Sequence, residues 1–350
     1  MSAENLRNMN DYIGEKRKRS QNLLIVEGNH EKNKLFWLLF ACFPEIDIHM
    51  DDIWIYGTNI YLLYDDIEKE YGDGWAESGD DIDLPFVISK KRYPDNLRYK
   101  IDFTNIIIVF DYERHDANFS EEKILKMQKY FTDAADMGKL YINYPMIESY
   151  QHLQTLPDAG YGERKILVSL QPGKEYKALV RAETMIAKYI EYPHKIEDLL
   201  KERYGITDVE KRNKCCNMIL DISEENKLND KIQNILCQMI KDVSLETAKY
   251  QIKDMIMQLG YAHNGQTYWE CMRKIFSQII CHNIRKANRI QNDQYLIEED
   301  RYKQCFEALD LTKILEMQNE TSHNINTGFI WVLNTCVFFV AEYNFALVKE

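Results

Sequence analysis

The sequence predicts an α/β protein in which a mostly parallel sheet, with helices on both faces, is followed by a mainly α-helical domain. Two observations predict this fold. Short apolar runs typical of buried strands alternate with segments of helical periodicity through the first half of the chain. From residue 174 onward, helical periodicity dominates and strand signals are few. With 350 residues, of which 45% are hydrophobic and 12% aromatic, the chain is long enough for two globular domains.

We predict three regions along the chain. Residues 1–20 are polar, include the basic run KRKRS and form an N-terminal arm. Residues 21–173 form the sheet domain, within which residues 72–103, rich in Gly, Asp and Pro, form an insertion or long loop. Residues 174–350 form the helical domain, to which we assign subunit assembly or substrate binding.

The first two strands are predicted before residue 60. NLLIVEG (22–28) is a short apolar run with Ile and Val that ends at a glycine, which is typical of a buried strand. HEKNKLFWLLFACF (30–43) has helical spacing and is followed by a proline. DDIWIYGTN (51–59) is the second predicted strand, and IYLLYDDIEKEYG (60–72) is the helix after it.

The centre of the sheet is predicted by NIIIVFDYE (105–113), the strongest strand signal in the chain. SEEKILKMQKYFTDAAD (120–136) is a predicted helix with a serine as its N-cap. KLYINYP (139–145) is a further strand, stopped by proline, and MIESYQHLQTL (146–156) starts a further helix. This alternation of strands and helices predicts a mostly parallel sheet with helices on both of its faces.

Composition narrows the class of protein. The net charge of −12 argues against a broadly basic protein that coats nucleic acid, but not against a nuclease, whose acidic metal site contributes negative charge. The eight cysteines contain no C-x-x-C pair, which argues against a zinc ribbon. The apolar runs at 35–43 and 329–341 are shorter than the roughly 20 residues needed to cross a bilayer. Without an apolar secretion segment before Asn22, the expected location is the cytoplasm, with no membrane contact.

Carboxylates follow the predicted strands at the points where the strands end. The carboxyl ends of parallel strands meet at one edge of a sheet, so these side chains should converge there. The i, i+2 spacing of Asp111 and Glu113 points both side chains the same way if the backbone stays extended. The acids in question are Glu27, Glu31, Asp111, Glu113 and Glu148.

Five acids at one edge repel one another unless cations lie between them. Ligand sets made only of oxygen suit Mg²⁺ or Mn²⁺. One or two such ions activate water and stabilise the leaving oxygen when a phosphodiester bond is cleaved. The sequence therefore predicts a metal site with this chemistry at the carboxyl edge of the sheet.

The same residues resemble the TOPRIM domain. The matching stretches are IVEG-x-x-E after the first strand, FDYE after the central strand and MIESY after the next strand. They span about residues 21–155 and are most similar to the TOPRIM nucleases of the overcoming-lysogenization-defect (OLD) class and to the stand-alone TOPRIM effectors of PARIS anti-phage systems. The resemblance implies a TOPRIM fold, which is Rossmann-like, for this part of the chain.

The resemblance also implies roles for the acids. Glu27 would be a metal ligand or a general acid/base, and Glu31 matches the helix glutamate of the same motif. Asp111 and Glu113 match the acidic pair that binds metal, and Glu148 matches the glutamate of the later motif. The family pair is usually Asp-x-Asp, whereas this chain has Asp-Tyr-Glu, and the longer second ligand would shift the metal. We take Glu27 and Asp111 as the catalytic residues.

Basic residues and histidines near the acids, or in a later basic run at 273–289, are candidates for contacts with nucleic acid. Each also has an ordinary alternative, because lone histidines are often simple polar contacts and basic helix faces are often only solvated. The candidates are His30, His115, Lys165, Lys174, Arg285 and Lys286.

Together these observations predict a metal-dependent endonuclease that cleaves RNA, such as tRNA, or DNA as the toxic effector of a bacterial anti-phage system. QPGKEY (171–176) lacks the first glycine and the Ser/Thr of a phosphate-binding loop, so a separate ATPase partner is expected. The resemblance implies a homodimer. Two alternatives stay open: a housekeeping TOPRIM nuclease in RNA maturation, and a non-catalytic adaptor that uses the acidic edge for ion or protein contacts.

Overall fold

A computed structural model describes residues 22–79, 81–170, 173–239 and 246–348. The predicted N-terminal arm, residues 1–20, lies outside the described residues. The strands are β1 Asn22–Val26, β2 Ile53–Ile55, β3 Asn105–Asp111, β4 Thr132–Asp133, β5 Gly138–Tyr144, β6 Lys165–Leu167, β7 Phe329–Trp331 and β8 Leu333–Asn334.

The main sheet has six strands, and its order is β2-β1-β3-β5-β4, with β8 also paired to β5. β2, β1, β3 and β5 are mutually parallel, whereas β4 and β8 are antiparallel to β5. β6 and β7 form a separate antiparallel ribbon of two strands. The six residues from Ile106 to Asp111 are all buried, as expected for a central parallel strand that is covered on both faces. The predicted α/β class with a mostly parallel sheet is therefore confirmed.

The α-helices account for most of the remaining described chain. A π-helix, Glu31–Phe36, precedes the first of them. In chain order they are α1 Trp37–Cys42, α2 Ile60–Tyr71, α3 Trp75–Ser78, α4 Leu84–Arg92, α5 Glu121–Tyr130, α6 Lys174–Glu183, α7 Ala187–Glu202, α8 Val209–Leu220, α9 Leu228–Met239, α10 Glu246–Leu259, α11 Tyr268–Asn292, α12 Tyr302–Glu307, α13 Leu311–Ser322 and α14 Phe338–Tyr343.

Three predicted elements differ from the structure. The helix predicted over 120–136 ends at Tyr130, and β4, Thr132–Asp133, follows it. Residues 72–103 contain α3 and α4 rather than one long loop, and Asp83 caps α4 by accepting a hydrogen bond from the N–H of Phe86. The predicted helix over 146–156 is only a 3₁₀-helix, Ile147–Gln151. Past its end, the N–H of Leu153 donates to the carbonyl of Gln151 and the N–H of Gln154 donates to the side chain of Asp158 over 2.8 Å, neither of which is a helical hydrogen bond.

The described chain forms two compact units whose division differs from the predicted one after residue 173. The sheet unit comprises the described parts of 22–36, 45–184 and 277–348, and the helical unit comprises those of 37–44 and 185–276. Residues after 276 belong with the sheet because β8 adds to β5 and β7 pairs with β6. No helix in the described parts of the chain is long and apolar enough to cross a membrane.

β5 approaches β3 closely at Gly138, the first residue of β5. Its φ is +113°, and an added Cβ atom would lie 3.0 Å from Cδ1 of Ile108 on β3. We expect Gly138→Ala to lower the free energy of unfolding by roughly 2 kcal/mol, because it adds backbone strain and a steric clash.

Urea denaturation measures this loss. Gly260→Ala is the matched control, because Gly260 also has a positive φ, +72°, but no atom lies within 4 Å of an added Cβ. An equal loss in the two variants would contradict the close approach of β5 and β3.

Candidate functional site

Glu27 and Asp111 lie side by side at the carboxyl edge of the main sheet. β1 and β3 are parallel neighbours in which Val26 is paired with Val109, so the residues that end or follow these strands emerge together. The backbone N–H of Asp111 donates to Oε2 of Glu27 over 3.4 Å. The structure therefore brings together the two acids that the sequence singled out as catalytic.

Glu31 joins this group because of the turn after β1. It begins the π-helix Glu31–Phe36, and its Oε2 accepts a 2.9 Å hydrogen bond from the N–H of Gly28. A Cβ atom on residue 28 would lie 3.3 Å from that oxygen, so the glycine leaves room for the carboxylate. Only 5% of Glu31 is exposed. Single π-turns are frequent at functional sites, and this one holds a carboxylate beside the strand end.

Glu148 is delivered by the short 3₁₀-helix after β5 and is 4% exposed. Its Oε1 lies 3.5 Å from Nε2 of His30 and 3.4 Å from Nζ of Lys177. Its Oε2 is buried and receives no hydrogen bond from any described residue. A buried carboxylate oxygen without a hydrogen bond is costly, so this atom has room for a partner that the described residues do not supply.

Glu113 is placed differently from the prediction. β3 ends at Asp111, and Glu113 has a φ of +41°, so the backbone does not stay extended through the pair. The chain turns there because the N–H groups of Tyr112 and Glu113 donate to the carbonyls of Asn143 and Pro145. The extended backbone on which the i, i+2 argument for Asp111 and Glu113 depended is therefore absent at Glu113. Glu113 still contributes negative charge near Glu27.

Two residues at this edge were not indicated by the sequence. Asn143 is fully buried, is paired with Asp111 in the sheet, and donates from Nδ2 to Oδ1 of that aspartate over 3.4 Å. Lys177 on α6 is the cation beside Glu148. Helical spacing could have pointed to it, since Lys177 lies three residues after the predicted Lys174 and four before Arg181.

The acids shift one another's titration. Burial, followed by the charges of Glu113 and Glu31, raises the pKa of Glu27 from 4.5 to about 9. Burial, followed by the charge of Glu27, raises the pKa of Asp111 well above its ordinary range. Burial also raises the pKa of Glu31. Without an added cation, this group holds protons at neutral pH because its members cannot all be ionised together.

The residues fit a divalent cation by donor type. The available ligands are carboxylate oxygens, which suit Mg²⁺ or Mn²⁺, and the orphaned Oε2 of Glu148 is a donor without a hydrogen bond from the described chain. However, among the described residues no group of three or more His, Cys, Asp or Glu side chains is placed so that it could hold a metal ion. The side chains would therefore have to close further around a bound ion.

The other candidate residues are spread more widely. His115 lies against the N-terminal end of α6, where a Cβ atom on Gly173 would be 2.8 Å from its Nε2. Lys174 is exposed at the first position of that helix. Lys165 is exposed on β6, away from any carboxylate contact that the described residues provide. The guanidinium of Arg285 lies 5.1 Å from the centre of the Tyr302 ring.

The structure contradicts the prediction for Lys286. It was predicted to contact nucleic acid, but it is fully buried on α11. Its Nζ donates to the carbonyls of Tyr161, Gly162 and Arg164 over 2.8, 2.7 and 2.8 Å. A side chain whose three N–H donors are used inside the protein has none left for a phosphate, so Lys286 has a structural role.

Comparison with known proteins finds no matching family model, no matching curated protein and no matching solved structure. The resemblance to the TOPRIM nucleases thus stays a prediction from the sequence motifs.

The raised pKa of Glu27 predicts how stability depends on pH. Between about pH 4.5 and about 9 the folded protein keeps a proton on Glu27 that the unfolded chain releases. The free energy of unfolding therefore falls as pH rises through this interval. In EDTA at pH 8, we expect Glu27→Gln to be more stable than the wild type by on the order of 2 kcal/mol, because a tenfold change in proton affinity is worth about 1.4 kcal/mol.

Urea denaturation at pH 5 and pH 8 provides the measurement, with the exposed Glu298→Gln as control. The gain from Glu27→Gln should appear at the higher pH and largely disappear at the lower one. The same gain at both pH values, or none at either, would show that Glu27 is not held protonated by its surroundings.

Lys286→Met tests the structural role of the buried lysine. The substitution leaves three backbone carbonyls without their donor, so we expect a loss of about 3 kcal/mol in the free energy of unfolding. Lys201→Met, at an exposed position of α7, is the control and should change stability by no more than about 0.5 kcal/mol. A stable Lys286→Met protein with weakened nucleic-acid binding would restore the original prediction.

Proposed function

We propose that the acidic edge of the main sheet binds Mg²⁺ or Mn²⁺ and that the protein is an endonuclease that hydrolyses phosphodiester bonds in nucleic acid. The observation that carries the proposal is the contact between the side chain of Glu27 and the backbone of Asp111. It unites acids from two parallel strands at the edge of the sheet where functional groups gather in open α/β folds. Clusters of acids with strongly shifted pKa values are typical of such sites.

In this proposal Glu27, Asp111 and Glu148 hold the ion, with Glu31 and Glu113 beside them. A bound divalent ion polarises the phosphate and lowers the pKa of a water molecule. We also assign proton transfer to Glu27, as a general base, because its side chain lies beside Asp111 and would be ionised once a bound cation offset the charge of the neighbouring acids.

Lys177 and His30 are the groups that we assign to the substrate phosphate. Both approach the same oxygen of Glu148, at 3.4 and 3.5 Å, and the side chain of each is 42% exposed. They therefore lie at the boundary between the buried acids and solvent. A cation in this position offsets the negative charge of the acids and attracts the phosphate that would otherwise be repelled.

The biological setting we propose is a toxic effector of anti-phage defence that cleaves RNA or DNA as a homodimer under the control of a separate ATPase. Its support is the likeness of the acidic motifs to those of OLD and PARIS TOPRIM proteins and the incomplete phosphate-binding loop at 171–176. A housekeeping nuclease of RNA maturation would use the same residues. The alternative from a different class is a non-catalytic adaptor. Its support is that, among the described residues, the acids are not placed close enough together to hold a metal ion.

Metal-dependent cleavage is the test of the proposed function. We expect purified protein to cleave plasmid DNA, total RNA or tRNA when Mg²⁺ or Mn²⁺ is present and to be inactive in EDTA. Glu27→Gln and Asp111→Asn should each slow cleavage by roughly 100-fold or more. Gel electrophoresis of the products measures the rates.

Lys177→Gln and Lys174→Gln form a matched pair on α6. Lys177 contacts Glu148, whereas Lys174 is exposed at the start of the helix, so only the first should slow cleavage, by roughly tenfold or more. If no substrate is cleaved with either metal, even after the ATPase partner is added, the adaptor is the better account.

A further inference from the structure

The β6–β7 ribbon has one buried and one outward face. Ile166 and Ile330 are paired with each other and are buried. The outward face is formed by the cross-strand pairs on either side of them: Lys165 with Trp331, and Leu167 with Phe329. Leu167 is 47% exposed, which is unusual for a large apolar side chain in a short strand.

The aromatic rings on this face are arranged around a lysine. The ring centres of Phe329 and Trp331 are 5.2 Å apart, with the rings perpendicular. Nζ of Lys165 lies 4.2 Å from the centre of Phe329 and 5.6 Å from that of Trp331. Lys165 forms no salt bridge with any carboxylate of the described chain, so its charge is compensated only by weak cation–π contacts.

This combination suits an unpaired nucleotide. Aromatic rings offer a stacking surface to a base, whatever its sequence, and a flexible ammonium group binds the adjoining phosphate. In a duplex the base faces are hidden, so a surface of this kind favours single strands. An apolar protein partner would gain little from the uncompensated Lys165.

The position of the ribbon agrees with a role in substrate binding. β6 precedes α6 in the sequence, and α6 carries Lys177, the lysine that contacts Glu148. The ribbon, this helix and the acidic edge all belong to the sheet unit. A strand held on the ribbon would thus be bound by the same compact unit that contains the acids.

We propose that the outward face of the β6–β7 ribbon binds single-stranded nucleic acid, with a base stacked on Phe329 in place of Lys165 and the displaced ammonium group of Lys165 bound to the adjoining phosphate. The proposal rests on the proposed function for the nature of the ligand and adds that the preferred substrate has an unpaired segment. Trp331 also covers the buried ammonium of Lys286, with 4.5 Å between Nζ and the ring centre, so substituting it would disturb the interior. Phe329 and Lys165 are therefore the positions to test.

The experiment measures the binding of fluorescein-labelled uridine and thymidine homopolymers, and of a duplex of equal length, by fluorescence anisotropy in EDTA with the full chain. Phe329→Leu keeps the apolar bulk but removes the ring and should weaken single-strand binding about tenfold. Lys165→Gln should reduce the slope of log affinity against log salt concentration by about 0.7. The controls are Tyr250→Leu and Lys249→Gln, a second surface pair with 5.5 Å between Nζ and the ring centre, and both should bind like the wild type.

The outcomes separate this proposal from the nuclease. Unchanged affinity in Phe329→Leu, equal binding of duplex and single strand, or no binding by the wild type would each overturn the ribbon as a binding face. Cleavage in Mg²⁺ by a protein whose binding does not depend on Phe329 would leave the nuclease standing. Single-strand binding that requires Phe329, without cleavage in either metal even after the ATPase partner is added, would support the ribbon and overturn the nuclease.

Discussion

Buried carboxylates placed side by side cannot all be ionised unless a counter-charge lies among them, and this constraint governs the carboxyl edge of the main sheet. Glu27 and Asp111 are in contact there, and Glu31 and Glu148 are each no more than 5% exposed. Only Lys177 and His30 approach the acids from the described chain within salt-bridge distance, and both approach Glu148. The sheet therefore places one cation, Lys177, and the imidazole of His30, whose pKa is lowered by burial, beside Glu148, and it leaves the other acids dependent on protons or on an added ion.

The fold keeps this unfavourable arrangement in place through long-range contacts. β1 and β3 are buried parallel neighbours, so the position of each acid is fixed by the register of the sheet. Asn143 on β5 donates to Asp111, and its own oxygen accepts from the backbone N–H of Cys336, which follows β8. The segment after β8 thus fixes the side chain of Asn143, and Asn143 in turn donates a hydrogen bond to Asp111. A site that costs stability in this way is expected where function requires it.

The sequence predicted the features that depend on local pattern. Apolar runs defined β1 and β3, and since the acids follow directly from the strand ends, the meeting of Glu27 and Asp111 could be predicted. Contacts between distant segments could not. Lys286 looks like any basic helix residue until the carbonyls of 161–164 surround it. The turn at Glu113 depends on bonds from Tyr112 and Glu113 to the far end of β5, which apolar periodicity does not encode.

We infer that a divalent ion, rather than protons alone, balances the charge of these acids. Anomalous scattering from crystals grown with Mn²⁺ tests it most directly. We expect a strong peak about 2.0–2.6 Å from carboxylate oxygens of Glu27 and Asp111. Well-ordered side chains with no peak near them at saturating Mn²⁺ would contradict it.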